Sequence, residues 1–252
     1  MSDYDRNVAA RGFGAARAEA IDAGLRAYMI RVYNYMAAGV ALTGVVAWLT
    51  FNAAVVTDAA GRITGLTSFG QTIFSGPLTI VLFLGTLGLV FFLSFRINSL
   101  QPSTALMLFM LYAGLLGLML SSVFLAYTGA SITRTFFISA ASFGALSLYG
   151  YTTQRDLSPI GSFLTMGLFG LILAMLVNMF LKSSGLEFAI SVIGVLIFAG
   201  LTAYDTQRIK EMYSANDDGT IAGRKAVMGA LQLYLDFINI FLFLLRFMGD
   251  RR

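Results

Sequence analysis

The chain has 252 residues, 58% of them hydrophobic and only 12% charged, against roughly half and about a quarter in soluble domains, so a water-soluble globular protein is excluded in favour of a membrane protein. There is no Cys and no His, which removes disulfides, thiol nucleophiles, Cys/His metal cages and His-based catalysis. The net charge of +4 comes from basic residues scattered over loop positions, a pattern of membrane topology and not of a nucleic-acid surface.

The first 28 residues hold four Arg and four acids and form an expected N-terminal tail, 1–28, either a surface helix or a disordered segment. The apolar run behind it is too long for the h-region of a signal peptide and is read as a retained first span. Seven apolar segments follow in order, at 29–51, 72–95, 104–128, 135–154, 160–181, 186–206 and 226–248. Each is about the length a helix needs to cross roughly 30 Å of hydrocarbon. Pro77, Pro102 and Pro159 fall just before or within the first turn of a segment, where a missing N–H costs least. The runs are continuous, unlike the alternating strands of a barrel, and a lipid-exposed backbone must satisfy itself, so helices remain. The expected fold is all-α, a polytopic seven-transmembrane-helix bundle over 29–252. Most connections are short; 52–71 and 207–225 are the long ones. Gly85 with Gly88, Gly114 with Gly117, and Ala140 with Gly144 are placed for close helix approach, the ordinary packing device of such bundles. No internal repeat is visible, so an inverted-repeat transporter is not suggested.

Loop Lys and Arg set the orientation. With the N-terminus inside, ten basic residues fall on the cytoplasmic side and five on the other, so N-in and C-out is expected. The final Arg251-Arg252 pair opposes this, and would return to the cytoplasm if the seventh segment were re-entrant.

Only the last two segments contain acids. An Asp at a helix centre costs about 2.5–3.5 kcal/mol on insertion scales, so it persists where it faces protein or water with a partner. Asp236, in LYLDFINIFLFLLR, lies about 11 residues beyond Arg224-Lys225, roughly 16 Å along a helix and near mid-membrane. Gln232, Asp236 and Asn239 follow i, i+4, i+7 spacing and form one polar stripe. Asp205, in AYDTQRIK, precedes Arg208 by one turn; if its helix runs on through Ile209 to Met212, it sinks deep enough to meet Asp236. Two carboxylates held together in a poor dielectric share a proton instead of both ionising, which makes a proton sensor and also a set of hard oxygen ligands suited to Ca²⁺. The plainer alternative gives Asp236 a hydrogen bond to a neighbouring helix and Asp205 an interfacial ion pair with Arg208 or Lys210. Arg96, at the end of the second span in FFLSFRINSLQPS, is the basic candidate nearest to either acid; its alternative is an inside-facing anchor.

AYDTQRIK followed by GALQLYLDFINIFLFLLR is similar to the C-terminal signature of the transmembrane Bax inhibitor motif family. With its Arg-bearing tail and the ending MGDRR, the chain most resembles the bacterial inner-membrane members. The resemblance implies a seven-helix bundle with the last helix central and a passive, pH-sensitive Ca²⁺ leak in the inner (plasma) membrane. By motif match the sensor and ion-path pair falls on Asp205 and Asp236, which would also be the Ca²⁺ ligands, and a latch arginine falls by position on Arg96. Ca²⁺ is then a transported ion in contact with a membrane lipid-embedded protein that has no tightly bound cofactor. Two features depart from the family pattern: 30 residues separate the two acids, and the second span has no acid before Arg96.

Two other function classes are compatible with parts of the sequence. A regulatory protein that binds and restrains a membrane protease or another membrane complex would use the N-terminal tail, with the acids merely structural. An aspartyl intramembrane protease would need facing Asp residues, but no GxGD motif surrounds the second Asp, and a serine version would need a His or Lys base. The chain is therefore expected not to be an enzyme.

Overall fold

The computed structural model describes residues 3–59 and 62–252, with side chains from residue 21 onward. The first two residues of the expected tail, and the side chains of Arg6, Arg11 and Arg17, lie outside the described residues. The helices are α1 (Asp3–Ala54), α2 (Ser68–Ser75), α3 (Pro77–Arg96), α4 (Pro102–Leu120), α5 (Val123–Ala126), α6 (Gly129–Thr152), α7 (Ser158–Leu181), α8 (Ser184–Glu211) and α9 (Gly219–Met248). From Asp3 the backbone of the expected tail is continuous with the first span as one helix.

Six of these are long and apolar enough to cross a membrane: α1 from Ile21, α3, α4, α7, α8 and α9. The chain is thus a multi-pass helical membrane protein. The segment expected at 135–154 is α6, which at 24 residues has the length to span but carries a stripe of hydroxyls in place of a fully apolar surface. Ser131, Thr135, Ser139 and Ser147 recur at multiples of four residues and are all buried. In lipid, where an apolar face gains nothing by turning inward, small and polar residues decide which face meets protein. α3 and α7 show the converse, with exposed Phe residues such as Phe95 and Phe180 along their outer surfaces.

Caps set boundaries that hydropathy alone misses. α8 begins with the Ser183 side chain accepting from Leu186 N, and α9 with Asp218 accepting from Ile221 N at 2.7 Å. Arg208 and Lys210 sit in the last turn of α8, where cations favour the negative end of the helix dipole. The long connection expected at 207–225 therefore contracts to a turn at 212–218, pinned by a 2.5 Å ion pair between Lys225 and Asp217. The third segment ends early for a related reason: Ser121 and Ser122 hydroxyls donate to the carbonyls of Leu118 and Met119, which competes with helix continuation. The connection expected at 52–71 carries the hairpin β1 (Val55–Thr57) and β2 (Ile63–Leu66), paired antiparallel, before α2.

α9 packs against α1, α4, α6 and α8, and Ala226, Ala230, Leu233 and Tyr234 along it are fully buried. It runs unbroken for 30 residues, about 45 Å at 1.5 Å per residue, so Arg251-Arg252 stand at the opposite end of the helix from Gly219. There the C-terminus is stapled to the start of α6: Arg134 pairs with Asp250 at 3.1 Å, Arg252 N donates to Ala126 O at 3.0 Å, and Arg251 pairs with Glu187 of α8 at 2.8 Å.

The small-residue pairs behave differently from expectation. A Cβ added at Gly85, Gly88, Gly114 or Gly144 would meet nothing within 4 Å, and Gly85, Gly88 and Gly144 are exposed. Close approach occurs at Gly117, whose Cβ would lie 2.8 Å from Thr43 O, and at Gly150, where it would lie 2.1 Å from Ala203 O.

Gln207 ties α8 to the α6–α7 connection: Leu157 N donates to its Oε1 and its Nε2 donates to Arg155 O, both at 2.8 Å. Gln207→Ala leaves the buried Leu157 N–H unpaired, and a loss of about 1–3 kcal/mol is expected. Thermal unfolding of the detergent-solubilised variant checks this; an unchanged midpoint would show that the tie is not needed.

Candidate functional site

Extension of α8 to Glu211 leaves Asp205 six residues inside the helix end, as the condition for meeting Asp236 requires. Asp236 lies on the inward face of α9 and is 4% exposed; Asp205 is half-buried on the facing side of α8. Their carboxyl groups come close enough to act on one another directly. Two carboxyls this close in a poor dielectric can share one proton more cheaply than they can carry two charges. Asp236 Oδ2 is buried and has no hydrogen-bond partner among the described residues.

The charged group that acts on Asp205 from its own helix is Arg208, one turn on, itself exposed. Arg96 is exposed in the last turn of α3 and makes no ion pair with either acid; among the described residues it has no ion pair at all. The 3-10 turn Ile97–Ser99 that follows Arg96 packs on both α3 and α9, while the Arg96 side chain itself is exposed.

The polar stripe of α9 is only partly engaged. Asn239 Nδ2 donates back to Leu235 O at 2.8 Å, and the buried Gln232 Oε1 has no donor. Among the described residues no group of three or more acids, Cys or His gathers anywhere. Ca²⁺ takes six to eight oxygens, so Asp205 and Asp236 fit a passing contact for a hard cation better than a resident cage.

Two hydroxyl chains beside the acids were not singled out from the residues. Tyr33 Oη lies 2.6 Å from Ser147 Oγ, which lies 2.9 Å from Thr206 Oγ1, the residue following Asp205. Tyr234, two residues before Asp236, has its Oη 2.6 Å from Thr43 Oγ1, which donates to Ala113 O at 2.9 Å. The regular spacing of hydroxyls on α6, and of Thr202 with Thr206 on α8, was the legible signal. Apolar neighbours hid it.

Residues 25–252 match the model of the family described as inhibitor of apoptosis-promoting Bax1. Among curated relatives, the Rickettsia prowazekii protein RP147 is 48% identical over 252 residues, covering all of both chains. The Escherichia coli inner membrane protein YbhL is 48% identical over 232 residues, covering 91% of this chain and 94% of its own. A Caulobacter vibrioides protein is 44% identical over 259 residues, with complete coverage of both.

Proposed function

We propose, on the premise that this chain belongs to the Bax inhibitor family, that it is a passive, pH-sensitive Ca²⁺ leak of the bacterial inner membrane. In this reading it is multi-pass, with all seven long helices spanning, the last helix central and the N-terminus cytoplasmic. Ca²⁺ is the cargo, and no enzyme chemistry or tightly bound cofactor is involved. The observation that carries the reading is the approach of Asp205 on α8 to the buried carboxyl of Asp236 on α9, in apolar surroundings where an unpaired charge is costly.

Loss of a shared proton leaves two adjacent negative charges on α8 and α9, and its gain leaves one. Either change alters the relative free energy of two arrangements of these helices, which is what a proton-linked gate requires. Arg208 is the cation placed to compete for Asp205, and takes over the role that the resemblance assigned by position to Arg96. The inner-membrane location is supported by the description of YbhL and by the six apolar helices.

The test is Ca²⁺ flux into proteoliposomes over about pH 5 to 8, the range in which a coupled carboxyl pair can titrate. Wild-type flux is expected to change severalfold; Asp236→Asn and Asp205→Asn are each expected to flatten the profile to within about twofold. Unchanged pH dependence in both variants removes the pair from gating. Wild-type vesicles without flux at any pH would overturn the leak itself and favour the regulator of a membrane protease or other complex.

A further inference from the structure

The α1–α6 seam carries a feature independent of the leak. Where Tyr33 meets Ser147, a groove of about 550 Å³ opens between the two helices, within the range of small-molecule sites. Ile30, Gly144 and Leu148 form its outer wall and are exposed, so the groove opens sideways, toward lipid. At one end stands Arg26 beside Tyr151. Lys210 adds a second positive charge there, its Nζ donating to Tyr151 O at 2.9 Å and lying 5.3 Å from the ring centre. Asp22 is one turn before Arg26 on α1, yet among the described residues neither Arg26 nor Lys210 has an ion-pair partner.

An apolar trough ending at uncompensated cations is complementary to an amphiphile with an anionic head. A free anion would leave the trough unused, and a neutral lipid would leave the cations unpaired. We infer that this groove seats one acyl chain of an anionic phospholipid, with the headgroup phosphate against Arg26. The leaflet is that of the N-terminal end of the α1 span. Ser147 at the floor contacts Thr206, so a lipid seated here rests on the hydroxyl chain that adjoins Asp205.

The test uses the full chain reconstituted in vesicles of phosphatidylcholine with and without phosphatidylglycerol, extracted gently, with retained lipid counted by native mass spectrometry. Arg26→Gln is expected to lower retention of phosphatidylglycerol about fivefold and leave phosphatidylcholine unchanged, the effect of one basic residue at an anionic surface. Arg26→Lys is expected to retain it. A Cβ at Gly144 meets no atom within 4 Å, so Gly144→Leu fills the groove without moving a helix and is expected to lower retention of both lipids. Melting temperatures measured alongside identify any variant that fails to fold; Leu148→Trp then narrows the same trough from another position. Unchanged retention in Arg26→Gln, or in folded groove-filling variants, would overturn the site. So would displacement of phosphatidylglycerol by inorganic phosphate, which would assign the rim to a free anion.

Discussion

Gly150→Ala is expected to cost about 2–3 kcal/mol of stability, at the upper end for overpacking, although it adds a single methyl group. The new Cβ would lie 2.1 Å from Ala203 O and 3.0 Å from Ala203 Cα. Both are backbone atoms of α8, so no side chain can swing aside and the helices themselves must part. Parting them also stretches the 2.9 Å contact between Ser147 and Thr206 one turn away and disturbs the backbone two residues from Asp205. Gly144→Ala on the same helix is the control, because its Cβ enters open space and Ala is the better helix former. Thermal unfolding in detergent should separate the two substitutions clearly. Equal midpoints would show that the α6–α8 approach is looser than 2.1 Å implies.

Tyr234→Ala is expected to be still more damaging, about 3–5 kcal/mol, the usual range for deleting a fully buried aromatic ring. Tyr234 is 0% exposed and stands edge-on to Phe109 and Tyr112 of α4, with ring centres 5.4 and 5.9 Å away. Its hydroxyl meets Thr43 of α1 at 2.6 Å, so one side chain joins α9 to two other helices. Tyr234→Phe isolates the hydroxyl. It should cost only about 1 kcal/mol, because Thr43 keeps its bond to Ala113 O and interhelical hydrogen bonds in membranes are modest. If Tyr234→Phe proved as destabilising as Tyr234→Ala, the ring packing would not be the dominant contribution.

The two predictions share a cause. Between helices immersed in lipid, removing apolar surface from water is not available as a driving force, so close packing and a few polar contacts carry the assembly. A misplaced methyl group or a missing ring is therefore felt directly.

Much was legible before any coordinates. The absence of Cys and His, together with apolar runs of membrane-crossing length, determined the class of molecule and the chemistry closed to it. Residue spacing identified Asp236 as the buried acid of α9 and Asp205 as its prospective partner, because an acid in hydrocarbon must have a reason to be there. That Asp205 lies deep enough to reach Asp236 depended on where α8 stops, which rests on Arg208, Lys210 and the Asp218 cap, all outside the apolar run.

Three matters were decided only by the packed structure. Arg96 had the right position in the chain but is exposed and pairs with neither acid. Gly85, Gly88 and Gly144 resembled contact glycines yet face outward, while Gly150 carries the closest α6–α8 approach. The hydroxyl chains through Ser147 and Thr43 need three helices at once to exist. Composition and period along one chain determine that a segment is helical and lipid-compatible; which face meets which neighbour depends on contacts between residues far apart in sequence, and hydrophobicity is blind to it when the solvent is itself apolar.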